Sequence, residues 1–202
     1  MPHKEVVLTE EEIVSVYKKG YKIRRGDLLK VELMVPVFSC CREAARAGKW
    51  RLLSGSGAEE LFVGYDRYFK HKGKKLEKLL EKEIGQLPSG DCESQELVAK
   101  NFGMRMAYPF LYPPFVREVL AVPLKERLGT RADKKPLLRK IASELGVPKD
   151  AIERRKKAMQ YGSGVHRILL RNIRAIEEEL RMKEELKQRK REEQMNYQHK
   201  TR

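Results

Sequence analysis

The four residues Ser54-Gly55-Ser56-Gly57 lie between an apolar run, Trp50-Arg51-Leu52-Leu53, and a helix-forming one, Ala58-Glu59-Glu60-Leu61. A strand, a tight loop of small residues and a helix in that order can aim backbone amides at an anion. An inert turn is the plainer reading of the same loop. Glu59-Glu60 could likewise simply open a helix, where the dipole favours acids. A second concentration of chemistry is Arg154-Arg155-Lys156-Lys157, followed by Ala158-Met159-Gln160-Tyr161-Gly162-Ser163-Gly164. Clustered cations beside a glycine-containing loop suit phosphate, although a solvated helix end has the same composition. Between Arg131 and Arg167 eleven Lys or Arg face four Asp or Glu, a local excess of +7. His3, His71, His166 and His199 have no metal-ligand spacing. Cys40, Cys41 and Cys92 are too few and too irregular for a disulfide framework or a zinc site, so a reducing compartment is expected.

The elements that must hold these residues follow from composition and period. The chain has 202 residues, 41% of them hydrophobic, enough for a core and for one domain with an appendage. Lys and Arg number 44 against 29 Asp and Glu, a formal charge of +15. That charge suits a polyanionic partner, or a heat-adapted ionic surface. The opening residues lack a secretory apolar region. The apolar stretch from Met106 to Val116 is too short to span a bilayer. A soluble, cytoplasmic protein with no membrane partner is therefore expected.

Glu5 to Leu8 reads as a short strand. Thr9-Glu10-Glu11-Glu12 then reads as a capping box opening a helix that Gly20 should stop. A second helix is expected from about Val35 to Ala47, and a second strand over Trp50 to Leu53. Phe69 to Lys82 is lysine-dense helix or solvated surface, Gln86 to Cys92 a loop, and Ser94 to Asn101 a helix. Pro113-Pro114 feed a helix over Phe115 to Ala121. Pro136 opens another helix, which Gly146 closes. From Val165 a long amphipathic helix carries Leu169, Ile173, Ile176 and Leu180, and its polar tail after Leu186 should be a solvated helix end or disordered.

Several of these segments together resemble the synthetase domain of asparagine synthetase. Leu52 to Tyr68 is similar to the family's SG(E/D)G(A/S)DE–L–GGY block, and Tyr108-Pro109-Phe110-Leu111 to its RVPFLD block. Lys135-Pro136-Leu137-Leu138-Arg139-Lys140 with Glu153-Arg154-Arg155-Lys156-Lys157 resembles its K–LLR and R–K segments. The ending Lys157 to Ser163 resembles the branch of asparagine-synthetase-domain-containing proteins. The resemblance covers about residues 3–170 and divides the chain into a partial asparagine-synthetase-like domain, 1–165, and an amphipathic helix with a polar basic tail, 166–202.

The resemblance implies a helix-rich α/β fold: the C-terminal half of an adenine-nucleotide alpha hydrolase-like (PP-loop ATP pyrophosphatase) domain, with a small parallel sheet. It also implies an ATP-dependent ligase of asparagine biosynthesis that adenylates aspartate, releases pyrophosphate and lets ammonia displace AMP. Position by position, Ser54, Gly55, Ser56 and Gly57 match the nucleotide loop, Glu59 a magnesium-side carboxylate, and Lys156 the lysine on the pyrophosphate. These residue types suit that chemistry. Loop amides donate to a phosphate, a carboxylate can hold Mg²⁺, and a lysine neutralises the leaving group.

There are departures from the family pattern. The SGGxDS loop and the glutaminase domain have no counterpart in this sequence. Ser56 replaces an acid, Glu59 an aspartate, Arg105 a glutamate, Ala107 an arginine and Tyr112 an aspartate. The chain alone is therefore expected not to catalyse, and to associate with a complementary chain or with itself. The other readings are a noncatalytic RNA- or protein-binding module on the same scaffold, and a tRNA-modifying PP-loop relative.

Overall fold

A computed structural model describes residues 3–24, 28–154 and 158–200, with the side chains of 28, 29, 184 and 187–200 left aside. The chain divides into two compact units, 1–39 with 158–202, and 40–157. Helices dominate, and the described residues hold one two-stranded parallel sheet, an α/β arrangement.

In the first unit, α1 (Glu10–Ile23) begins at the capping box the sequence announces. The Thr9 hydroxyl accepts from the Glu12 amide at 3.2 Å, and the Glu12 carboxylate accepts from the Thr9 amide at 3.0 Å. Ile13, Val16 and Tyr17 pack with Val31 and Val35 of α2 (Leu28–Arg46) and with Val165, Leu169 and Ile176 of α11 (Val165–Lys200). A single turn, α10 (Met159–Gly162), leads into α11. Each fully buried Leu or Ile contributes about 1.5–3 kcal/mol to such a core. Gly20 does not stop α1. It is an interior packing site, where an added Cβ would lie 3.1 Å from Val31 Cγ1, and the helix runs on to Ile23. Glu179 on α11 accepts from Lys18 of α1 and from Lys183. The buried Glu32 holds His166 through Nδ1 at 3.0 Å.

The segment Glu5–Leu8 is not a strand. It runs without a ladder partner into the Thr9 cap, with Val7 83% exposed, and only Leu8 reaches the core. An apolar β-rich pattern makes a strand only where a neighbour accepts its backbone bonds.

In the second unit β1 (Arg51–Leu53) pairs with β2 (Arg105–Ala107), Arg51 opposite Arg105 and Leu53 opposite Ala107. Between them come α3 (Ala58–Leu61), a 3₁₀ turn over Asp66–Lys70, α4 (Gly73–Gln86) and α5 (Glu93–Lys100). The stretch Pro88–Cys92, expected as a loop, is a π-helical turn leading into α5. After β2 follow α6 (Pro113–Ala121), α7 (Leu124–Arg127), α8 (Pro136–Glu144) and α9 (Lys149–Glu153). One apolar cluster gathers Val63, Tyr68, Leu76 and Leu80, and another Leu61, Phe62 and Val119. In the second, Phe110 stands edge-on to Phe62 and to Phe115 at centroid distances of 6.2 and 5.7 Å. The buried Arg127 links elements by donating to Leu61 O at 2.9 Å and Val122 O at 3.1 Å. Among the described residues no helix is long and apolar enough to cross a membrane.

Candidate phosphate-facing loop and its adjoining cleft

β1 ends at Leu53, and the next amide, Ser54 N, still reaches Ala107 O at 2.8 Å, so the sheet ladder anchors the start of the loop. The Ser54 and Ser56 hydroxyls lie 2.9 Å apart, and Ser54 Oγ also accepts from the Ser56 amide at 3.3 Å. Gln95 of α5 donates to Ser56 Oγ at 3.0 Å. The side chains of the loop are thus spent on its own shape and on α5. An added Cβ on Gly55 would meet nothing within 4 Å, which leaves that backbone open to a close ligand. Gly57 differs. Its φ is 96°, and a Cβ there would come within 2.5 Å of Leu111 Cδ2. Only glycine meets both demands. The single turn of α3 is too short for a helix dipole of any size, so anion binding here rests on the loop amides.

Glu59 lies in the single turn of α3, and its Oε1 accepts from Lys135 Nζ at 2.8 Å, with side chains only 13% and 21% exposed. Gly64 makes room for this pair: a Cβ there would lie 1.8 Å from Glu59 Oε2. The Gly64 amide also donates to Glu59 O at 2.7 Å. Two non-glycine backbones here are left-handed, Val63 before Gly64 at φ 56° and Lys135 itself at φ 58°. Such conformations cost about 1–3 kcal/mol each and persist where the surroundings over-determine them, often at functional sites. Burial raises the Glu60 carboxyl pKa, with the neighbouring Glu59 and Glu83 adding to it.

Ser54, Gly55, Ser56, Gly57 and Glu59 are therefore brought together. Lys156, with Arg155 and Lys157, lies outside the described residues, and Arg154 is exposed. Sequence reasoning does not single out Lys135 as a site residue. The available signal is a lysine directly before a helix-opening proline, inside the K–LLR segment. Among the described residues no group of three His, Cys, Asp or Glu could hold a metal ion. A carboxylate neutralised by an ammonium does not by itself fit a resident divalent cation.

A cleft of about 690 Å³ adjoins the loop. Leu111, which packs over Gly57, forms part of its wall, as do Met106, Ala107 and Tyr108 at the end of β2. Cys92, Glu93 and Glu96 line it as well. Tyr108 donates its hydroxyl to Cys92 O at 2.9 Å, and Glu96 Oε1 accepts from the Met106 amide at 3.2 Å. Burial pushes the Cys92 thiol up to about 11, with Asp91, Glu60 and Glu96 adding to it, so no thiolate nucleophile forms at neutral pH.

The family model for asparagine synthase matches residues 1–78 and 70–201. A Methanocaldococcus jannaschii protein described as a glutamine-hydrolysing asparagine synthetase is 26% identical over 201 residues, covering 82% of this chain and 37% of that protein. The asparagine synthetase domain-containing protein 1 of Bos taurus is 30% identical over 132 residues, 61% of this chain and 20% of its own length. The asparagine synthetase B of Escherichia coli is 26% identical over 167 residues, 80% of this chain and 30% of its own. The chain thus spans well under half the length of these relatives.

Proposed function

Because the chain belongs to the asparagine synthase family, we propose that residues 40–157 carry the nucleotide-facing loop and a substrate cleft of an ATP-dependent amidoligase. In this reading aspartate is adenylated, pyrophosphate leaves, and ammonia displaces AMP, within a PP-loop type of fold. Residues 1–165 belong to that synthetase domain, and 166–202 are its amphipathic helix and polar basic tail. The observation that carries the reading is the Ser54–Gly57 loop, tied to Ala107 and α5 with Gly55 open, beside a cleft able to hold a second substrate.

The chain's own groups supply binding and charge. Amides of Gly55 and Gly57 donate to phosphate oxygens, because the serine hydroxyls are engaged with each other and with Gln95 and the Ser56 amide with Ser54. The aspartate carboxylate oxygen attacks the α-phosphorus, the bond to pyrophosphate breaks, and Lys156 neutralises the charge gathering on that leaving group.

The remaining strands and phosphate loop come, in this reading, from a complementary polypeptide. Supporting this, β1 pairs on one side only among the described residues, and Trp50 and Leu53 are 60% and 74% exposed beside its open edge. A second reading, an RNA-binding module, has one observation in its favour. Arg51 stacks on the exposed Trp50 at 4.2 Å and stands opposite Arg105, which suits bases and phosphates together.

The experiment is aspartate-dependent ATP–pyrophosphate exchange, with and without a second polypeptide bearing an SGGxDS loop. Exchange should require the mixture and should fall by about 100-fold or more in Lys156→Ala, against small losses in Arg154→Ala or Arg155→Ala. Equal, salt-sensitive loss of RNA retention in all three, with no exchange in any mixture, would replace the ligase by the RNA module.

A further inference from the structure

We propose that the contact between His166 and the buried Glu32 is a proton-operated latch, which holds α10 and the start of α11 on α2 while the imidazole is charged. The latch lies wholly within the first unit and does not depend on the ligase reading.

Burial is the first ground. Glu32 is 2% exposed and sits beside Val31 and Val35, which belong to the apolar core of that unit. A carboxylate in such surroundings keeps its charge only beside a compensating one. Among the described residues His166 is the one base within ion-pair distance. Its Nδ1 lies 3.1 Å from Glu32 Oε1 and 3.0 Å from Oε2. The Tyr17 hydroxyl of α1 feels this carboxylate. Burial pushes it up to about 12, and Glu32, Glu177 and Tyr21 add to the rise.

Charge is the second ground. Lysine and arginine partners stay cationic across the neutral range, whereas an imidazole changes charge within it. With its proton, the imidazolium donates from Nδ1 and the buried pair is neutral as a whole. Without it, Nδ1–H can still donate, but the carboxylate leaves a net charge in the core. The titratable groups around the latch are Tyr17 on α1, Glu32 on α2, Tyr161 on α10 and Glu177 on α11. Tyr17 keeps its proton through the neutral range. Farther along α11, Arg171 is engaged with Glu10 of α1.

What the latch holds is the third ground. Tyr161 stands edge-on to the imidazole with ring centroids 4.8 Å apart, so α10 packs on the latch itself. The Ser163 hydroxyl donates to Met159 O at 2.7 Å, and Gly164, at φ 78°, turns the chain from α10 into α11. The rest of the seat is poorly satisfied. Gln160 is 6% exposed, yet its Oε1 has no hydrogen-bond partner among the described residues, and neither has the Tyr17 hydroxyl. Unmet buried polar groups oppose docking, so a loss at the latch shifts the balance.

Hydrogen exchange of the whole 202-residue chain, read as protection factors corrected for intrinsic rates, tests the latch. The proton NMR resonance of His166 Cε1–H is followed in the same samples. Between about pH 6 and about pH 8.5, protection over residues 159–169 should fall at least about fivefold. The midpoint should coincide with that of the His166 resonance, while α4 in the other unit stays level. His166→Gln keeps a neutral donor and should show the low protection at both pH values. Glu32→Gln removes the buried charge and should show no pH dependence. Level protection in the wild type, a midpoint away from that of His166, or an equal fall in α4 would overturn the proposal. So would a His166→Gln chain that still loses protection as pH rises. The wild-type titration decides the matter even where a variant fails to fold.

Discussion

Lys135 donates to Glu59 at 2.8 Å across 76 residues of chain, and both ends of the contact are fixed by unusual backbone. Lys135 itself is left-handed, and Val63 and Gly64 turn beneath the carboxylate. Replacing Lys135 by Met removes the ammonium from a largely buried carboxylate and should cost about 1–3 kcal/mol in urea unfolding. The double change with Glu59→Gln should cost less than the two single changes added together. Additive losses would show that the two side chains merely sit near one another.

The glycines of the loop should separate stability from binding. Gly57→Ala meets Leu111 and a forbidden backbone, so it should destabilise by about 1–3 kcal/mol. Gly55→Ala meets nothing in the fold and should leave stability within about 0.5 kcal/mol. The same Gly55 change should weaken ATP binding in the complemented protein, measured by nucleotide-analogue fluorescence. Undiminished binding would remove Gly55 from the nucleotide site.

Arg127→Met should destabilise the 40–157 unit by about 2–4 kcal/mol, because the carbonyls of Leu61 and Val122 lose their donor. Arg127→Lys should recover less than half of that, since a single ammonium lacks the guanidinium's spread of donors. A near wild-type Lys variant would mean that charge, not the two-carbonyl geometry, matters there.

Acid should loosen the contact between α1 and α11. Lys18 and Lys183 hold the Glu179 carboxyl down at about 2, against an ordinary value of 4.5. A lowered folded pKa means the stabilisation is present above pH 4.5 and is lost as pH falls from there to about 2. Hydrogen exchange along α11 should rise across that window and flatten in Glu179→Gln. Added salt should shrink the effect, because the group is solvent-facing.

Local chemistry makes some of this legible in the sequence. Thr9 and Glu12 announce the start of α1, because a capping box needs only residues three apart. Ser54 to Gly57 announces a loop after a strand for the same reason. β2 is hidden, since Arg105-Met106-Ala107 carries no β-branched residue and is a strand only because Trp50 O and Ser54 N offer it partners. Glu5-Val6-Val7-Leu8 shows the converse, a strand pattern without a partner. The Glu59–Lys135 pair and the Gln95 brace on Ser56 are invisible because each joins segments far apart in the chain.

The parallel pairing of β1 with β2 also orders events in time. A parallel ladder cannot close through a short hairpin, and here it must wait for roughly fifty residues of intervening chain to be brought round. The bond from Ser54 to Ala107 therefore forms late in folding, after α4 and α5 are in place, and mutations at it should speed unfolding more than they slow refolding. The same contact should be among the first to open in the native protein. The Ser54–Gly57 loop then owes its shape to a long-range closure, and a ligand seated there would slow its opening.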